Sequence, residues 1–410
     1  MLYNELGYAM SSLYAVLVRQ DGRRRVRHDA PSRAAAAHVV SLLFVALIAG
    51  ANAAAAQDPT PGTDLPTDAR SAIPTKARGL VALPVVSSSP QIGPGAGGVV
   101  AYVFQTDSIS RRSALGAGGF YSTNNSWMLS IGGRVHFDDG NWRLLGGIGV
   151  YDFKYDFFGV GPAAGNANQS IDIKQRGNTE VLELARRIVS QFYLGPRFRY
   201  NNNLGVKLNG ANDNPGLSAQ ALSQPNEYSV SALGAVAEYD TRNEQVNPTK
   251  GVWSRATAMF GASWLGADVS FPYYEGFWNQ YVPVKWRGDD VLAFRGYACE
   301  VGDNAPIWDM CLYGLRNDLR GYKAGQYRDR GMFAVQGEWR MPLKGRVSGA
   351  LFAGVGGIGS GFWNSFDNLL PSGGPGIRYL LFESWRIKVG ADYAFAKHGG
   401  AFYLRVGEAY

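Results

Sequence analysis

The chain has 410 residues and a net charge of +7; 18% of its side chains are charged, 13% are aromatic and 53 are glycine. Charge below the usual quarter, with aromatics and glycine both high, argues against an ordinary cytosolic globule. A mean hydropathy of −0.15 argues against a bundle of transmembrane helices, and no stretch gathers Lys and Arg on one helical face as a nucleic-acid partner would require.

Residues 1–56 read as a signal peptide. "RRRVRH" (23–28) is a basic n-region, "VVSLLFVALIAG" (39–50) a short apolar run, and "ANAAAAQ" (51–57) offers small-residue cleavage sites. The apolar run is well short of the roughly 20 residues that span a bilayer; an N-terminal anchor helix is the alternative. The n-region is long, which allows a start further downstream, for example at Met10. Export places the rest in an oxidising compartment. The only two cysteines, Cys299 and Cys311, enclose a short loop. A disulfide is one reading and two free thiols the other.

Residues 57–95 read as a disordered periplasmic linker. Their first part, "QDPTPGTDLPTDARSAIPTKAR" (57–78), is rich in Pro, Thr and Asp and has no periodicity. A segment this short does not fold alone, since domains below about 40 residues need staples. No folded periplasmic domain is therefore expected there.

From residue 96 to 410 the pattern has period two. Trp127, Leu129, Ile131, Val135 and Phe137 alternate with Met128, Ser130, Gly132, Arg134 and His136. Phe192, Leu194, Pro196, Phe198 and Tyr200 alternate with Tyr193, Gly195, Arg197 and Arg199. Phe333, Val335, Trp339 and Met341 alternate with Ala334, Gln336, Glu338 and Arg340. The apolar faces often begin or end in Trp, Tyr or Phe, as aromatic girdles at two membrane interfaces do, and the polar faces suit a wet interior. A closed barrel also pairs every backbone group inside a membrane. The expected class is thus all-β: a transmembrane antiparallel β-barrel in the bacterial outer membrane.

Fifteen strands are legible, near 97–105, 113–121, 126–138, 141–153, 178–188, 191–201, 226–240, 251–265, 273–284, 290–301, 331–342, 346–358, 374–382, 385–396 and 401–410. Strands of about 9–11 residues with their connections predict about 16 in this length, and single-chain bacterial barrels have an even number. The missing strand is expected within 153–177 or 302–316. Short connections such as "DDGN" (138–141) suit periplasmic turns. Long polar ones, 208–227 and 302–330, suit outer loops.

Four motifs, in order, resemble those of the bacterial surface-antigen, or BamA/TamA-like, outer-membrane proteins. "EYDTRNEQVNPTKG" (238–251) resembles the family's mid-barrel signature through Asp240, Arg242, Pro248 and Gly251. "LRGY" (319–322) resembles its arginine-glycine-aromatic loop motif, "VQGEWRMPL" (335–343) with "GALFAGVGGIG" (349–359) its two following strands, and "RIKVGADYAFAKHGGAFYLRVGEAY" (386–410) its final hairpin. The resemblance implies a 16-strand barrel whose first and last strands meet in a weak seam. It also implies a long loop folded into the lumen, its arginine held by acidic residues of the wall. Strand parity points Glu338 inward, so Arg320 is expected to reach it in a charge-assisted hydrogen bond with the bidentate geometry open to a guanidinium. Gly321 would let the backbone turn and Tyr322 would stack on a neighbour. In "AFYLRVGEAY" (401–410), Phe402, Leu404, Val406 and the terminal aromatic Tyr410 resemble a C-terminal assembly signal, with a plain amphipathic strand as the alternative.

Two departures stand out. Where the family carries Phe-x-Asp-x-Gly, this chain has Phe352, Ala353, Gly354, Val355 and Gly356, so the loop arginine is expected to have one acidic partner fewer. The POTRA domains through which relatives receive clients are not expected either.

Beyond residues 1–56 the histidines are His136 and His398, neither in a metal-ligand spacing. There is no Gly-x-Ser-x-Gly and no phosphate loop; "GAGG" (95–98) and "GVGGIG" (354–359) are glycines within strands. No catalytic residue, metal or cofactor is expected. Two functions stay open: a factor for membrane protein or lipid insertion or transport acting through a lateral seam, and a passive or loop-plugged channel for small solutes. A structural outer-membrane role is a third. The expected partners are outer-membrane lipids, the barrel assembly machinery for the protein's own insertion and, where no POTRA domain is attached, separate periplasmic proteins; nucleic acid is not expected.

Overall fold

The computed structural model describes residues 79–89, 93–209, 214–244, 247–286, 288–314, 318–382 and 387–410. The expected signal peptide and residues 57–78 and 90–92 of the expected linker lie outside them. Eleven strands come first: β1 (Gly79–Ser89), β2 (Gly93–Phe104), β3 (Ser113–Ser122), β4 (Trp127–Phe137), β5 (Trp142–Phe157), β6 (Ile171–Val189), β7 (Phe192–Leu208), β8 (Tyr228–Asp240), β9 (Gly251–Gly261), β10 (Pro272–Val284) and β11 (Asp290–Val301). A short pair follows, β12 (Cys311–Leu312) and β13 (Arg328–Asp329). Five more complete the chain: β14 (Gly331–Lys344), β15 (Val347–Gly359), β16 (Leu369–Phe382), β17 (Ile387–Ala396) and β18 (Gly399–Val406). Helix α1 (Pro162–Ala167) lies between β5 and β6, and α2 (Pro215–Leu222) between β7 and β8.

All strands but β12 and β13 form one sixteen-stranded antiparallel sheet, each sequence neighbour paired with the next. The sheet curls until β1 lies beside β18, although among the described residues no ladder joins them. The missing strand is β1. This corrects two expectations: residues 79–89 and 93–95 belong to the sheet rather than to the linker, and among the described residues neither 153–177 nor 302–316 holds an extra barrel strand. The first of those stretches holds the end of β5, helix α1 and the start of β6; the second holds a 3₁₀ turn (Ile307–Asp309) and β12. Pro84, which has no N–H to donate, made β1 read as linker. Proline is tolerated in a strand with a free edge, and here Pro84 faces Gly98 of β2 while its other side meets the seam.

Parity sets the two faces. Leu129, Ile131, Leu194, Phe294, Val335 and Leu351 are exposed on the outer wall, while His136, Arg197, Arg199, Gln336, Glu338 and Arg340 are buried inside. A side chain every second residue on a pleated strand requires this segregation. Tyr200 breaks it, being buried next to buried Arg199.

The interior divides along the barrel axis. At the end bearing the long connections, Tyr155, Phe157, Ile173, Val230, Met332, Ile358 and Leu370 pack around Trp308, Tyr313, Leu319, Tyr322 and Tyr327 of the 302–330 connection. That connection is folded into the lumen, and its apolar body fills the outer half. Helix α1 sits over it: Tyr327 donates its hydroxyl to the Asn166 side chain at 2.9 Å, and the Gly161 N–H donates to the Arg328 carbonyl at 2.8 Å. At the end of the short turns the interior is charged.

Candidate functional site

The centre of the charged half is Arg320. Its side chain is fully buried, and its Nη1 lies 2.7 Å from Glu338 Oε2 and 2.8 Å from Asp392 Oδ2. Its Nε donates to Gln336 Oε1 at 3.1 Å, and its guanidinium lies 3.4 Å from the centroid of the Phe352 ring. A desolvated cation over an aromatic face contributes about 2 kcal/mol. Arg320 thus meets Glu338, but through one nitrogen shared by two carboxylates rather than as a bidentate pair. The expected shortage of acid is also corrected. Gly354 does replace an aspartate, and opposite it in register stands Gln336, while the second carboxylate comes from Asp392 on β17.

The residues beside Arg320 fix the backbone that presents it. Gly321 has φ +110°, a left-handed conformation that L side chains rarely adopt. A Cβ there would also stand 2.9 Å from the Ala396 Cβ. The Gly321 N–H donates to the Tyr403 hydroxyl at 2.8 Å, and the Arg320 carbonyl accepts from the Ser372 hydroxyl. Tyr322 meets Tyr327 edge to face at 5.4 Å and donates its hydroxyl to the Pro371 carbonyl at 2.7 Å. One loop turn therefore touches β14, β15, β16, β17 and β18.

The wall extends the network without the loop. Arg340 Nε donates to Glu338 Oε1 at 2.7 Å, Arg405 Nη2 lies 2.8 Å from Asp392 Oδ2, and Arg378 joins Asp392 to Glu408. Lys388 donates to Glu408 at 2.7 Å. After β18 the chain turns at Gly407 (φ +95°), which buries Glu408 and Ala409 and leads Tyr410 inward. The Tyr410 ring lies 5.9 Å from the Arg320 guanidinium and 5.7 Å from that of Arg340. Phe402 and Leu404 are exposed on the outer wall, and Val406 closes the β18 ladder against Val389. The expected outward stripe thus ends within β18. Tyr410 does not share it, because the turn at Gly407 breaks the alternation.

A second buried cluster spans the opposite wall and was not legible beforehand. Glu183 and Glu238 bind Arg143, Arg197 and Arg255. Arg143 lies 3.2 Å from Glu183 and 2.7 Å from Glu238, Arg197 is 2.9 Å from Glu183, and Arg255 is 2.7 Å from Glu238 and also touches Glu183. The sheet register places Glu183 opposite Arg197 and Glu238 opposite Arg255, the cross-strand arrangement in which opposite charges attract.

The mid-barrel motif closes the short-turn end. Arg242 grips both carboxylate oxygens of Asp240 at 3.0 Å and stacks 3.9 Å from the Trp253 ring centroid. Arg111, from the β2–β3 connection, reaches the same carboxylate at 2.8 Å. Pro248 is buried in the turn, and at Gly251 (φ +109°) a Cβ would collide with the Thr241 carbonyl. In the connection that carries Arg111, the Ser110 hydroxyl and amide and the Ile109 amide hold the Asp107 carboxyl down at about 2. Within the lumen, burial pushes the Asp309 carboxyl up, against the pull of Arg199, although the Tyr228 hydroxyl donates to it at 2.6 Å.

Cys299 and Cys311 are joined in a disulfide with their Cα atoms 6.0 Å apart, within the ordinary span of such bonds. It ties the 302–330 connection to β11. No group of three or more His, Cys, Asp or Glu suited to a metal ion occurs among the described residues.

The model of the Omp85 superfamily domain matches residues 120–391. Among solved structures, the fold is similar to that of BamA from Haemophilus ducreyi lacking POTRA domains 1–3, with a TM-score of 0.53 at 13% identity over 90% of this chain and 78% of that one. It is also similar to CdiB from Acinetobacter baumannii (TM-score 0.51, 12% identity, 81% of this chain and 59% of that one). For CdiB from Escherichia coli the TM-score is 0.53 at 11% identity, over 81% of this chain and 62% of that one. No curated protein matches.

Proposed function

The chain belongs to the Omp85 superfamily of outer-membrane β-barrels, and from that premise we propose that it promotes entry of β-structured polypeptides into the outer membrane at the junction of β1 and β18. Insertion and translocation of outer-membrane proteins is the general role its family supports; the site of action is the finer reading. One observation carries it. Among the described residues, every neighbouring pair of barrel strands shares a ladder except β1 and β18, which lie side by side without one. An edge with unmade backbone bonds is a template for an incoming strand.

The lumen supports the same reading from the other side. Its outer half is packed with the 302–330 connection, and Arg320 latches that connection to the wall of the inner half. A filled lumen argues against a wide passive channel and leaves the lateral seam as the route. Where clients must be delivered from the periplasm, separate partner chains would do so, and co-purification from outer membranes would identify them.

The test uses the full chain in lipid vesicles and an unfolded outer-membrane barrel as client. Client folding should be several-fold faster than in empty vesicles. Cysteine pairs across β1 and β18, in a chain with Cys299 and Cys311 replaced by Ser, should abolish the acceleration when oxidised and restore it when reduced. No acceleration, together with large steady conductance in a planar bilayer, would instead identify a channel.

A further inference from the structure

The β15–β16 connection, residues 360–368, folds down over the outer wall of the barrel. Its bed is set by register. Glu300, Gly331 and Gly359 stand in one row across β11, β14 and β15, with Phe333 and Gly357 in a second row on β14 and β15. These positions share the outward parity of Val335 and Val355, which are exposed, and are opposite to Cys299, Met332 and Ile358, which are buried in the lumen. The three glycines form a trough. The space of a Cβ at Gly331 is taken by the backbone of Gly361, and at Gly357 by the carbonyl of Ser365; a Cβ at Gly359 would lie 2.6 Å from the Asn364 carbonyl. Side chains at these positions would displace the connection.

Other contacts hold it there. The outward Glu300 carboxylate accepts the Phe362 N–H at 3.3 Å, and fully buried Ser365 donates its hydroxyl to the Phe362 carbonyl at 2.5 Å. Phe366 stacks on Phe333 with centroids 4.2 Å apart. Trp363–Asp367 form a 3₁₀ turn, in which residues three apart eclipse. Trp363 and Phe366 therefore share one edge, their rings 6.2 Å apart, and Asn364 and Asp367 share the next. Trp363 is 79% exposed, Phe366 45% and Leu369 54%.

We infer that residues 360–368 are an interfacial anchor, seating Trp363, Phe366 and Leu369 at the boundary between acyl chains and headgroups of the outer leaflet. The occupant is lipid because the facet continues the exposed apolar wall of Val335, Leu351 and Val355 rather than standing above the rim. Its one charge, Asp367, lies on the polar edge. Aromatic rings with a polar neighbouring edge favour this depth. The leaflet is the outer one because the connection leaves the barrel at the end bearing 302–330. The inference rests on the outer-membrane location and not on the proposed role in insertion.

Trp363→Cys carrying a nitroxide, in dioleoyl-phosphatidylcholine vesicles, tests it, since Cys299 and Cys311 are already paired. The label should be more accessible to oxygen than to a nickel chelate. A label at Thr123→Cys, exposed in the β3–β4 connection at the same end, should show the reverse. Adding Gly359→Val to Trp363→Cys, with folding checked by heat-modifiable mobility, should move the label into water. Equal nickel accessibility at 363 and 123 would overturn the proposal. So would protection that appears only in native outer-membrane fragments, which would assign the facet to a protein. A label that stays in lipid despite Gly359→Val would overturn the role of the trough.

Discussion

Glu183 and Glu238 on one wall, and Glu338, Asp392 and Glu408 on the other, face the same lumen, yet the two groups are built differently. In the first, every partner is a strand residue: Arg143 on β5, Arg197 on β7 and Arg255 on β9. Counting Arg134, 3.7 Å from Glu238, four guanidiniums share two carboxylates, so the loss of either acid leaves an excess of buried positive charge. In the second, Arg340, Arg378 and Arg405 already engage the acids from the wall, and Arg320 arrives from a connection. One cluster staples strands to strands. The other fastens the 302–330 connection to strands, and the wall supplies cations of its own to the same acids. Buried charge of one type thus joins strand to strand in one place and connection to strand in the other.

The largest expected effect falls on the first cluster. Glu183→Ala takes away the acid that Arg143, Arg197 and Arg255 share, leaving only Glu238 to Arg143 and Arg255, and should cost about 3–5 kcal/mol, as a buried pair losing one partner does. Urea unfolding of the barrel in detergent would read this as a lower midpoint, and a change under about 1 kcal/mol would mean that water screens this wall. Next, Cys299→Ser with Cys311→Ser removes the covalent tie of the plug and should cost about 2–4 kcal/mol. Hydrogen exchange should locate the loss in residues 302–330 and leave β5 to β9 protected; uniform loss would erase the contrast between the two regions.

Arg320→Ala should cost less, about 1–3 kcal/mol, between the values for exposed and buried pairs, because Glu338 keeps Arg340 and Asp392 keeps Arg405. A cost matching that of Glu183→Ala would show that the two clusters are equivalent. The smallest effect is expected for Gly321→Ala. Strain at φ +110° and contact with Ala396 should cost about 1 kcal/mol, read as faster exchange of the Gly321–Tyr322 amides with the rest of the barrel unchanged.

Much of this was legible beforehand, for reasons that also explain the gaps. A period of two shows which way Arg197, Leu194, Val335 and Glu338 point without any knowledge of the partner strands, so fifteen strands and the inward glutamate could be read directly. The opening strand could not, because Pro84 and the serines that follow resemble a linker, and the free edge that tolerates a proline is visible only in the assembled sheet. Asp392 lies 72 residues from Arg320. Only the curvature that brings β17 across the lumen joins them. The Glu183 cluster depends on register across the five strands from β5 to β9, which alternation within one strand does not encode. The inward course of Tyr410 is not visible in the alternation either, because one turn at Gly407 cancels the parity of everything after it.

The account stands on a lumen kept shut by a connection that Arg320 holds to the wall, and single-barrel conductance in a planar bilayer tests this most directly. The wild-type chain should give small conductance, and Arg320→Ala a larger, fluctuating one with the barrel still folded. Identical conductance for the two proteins would contradict it.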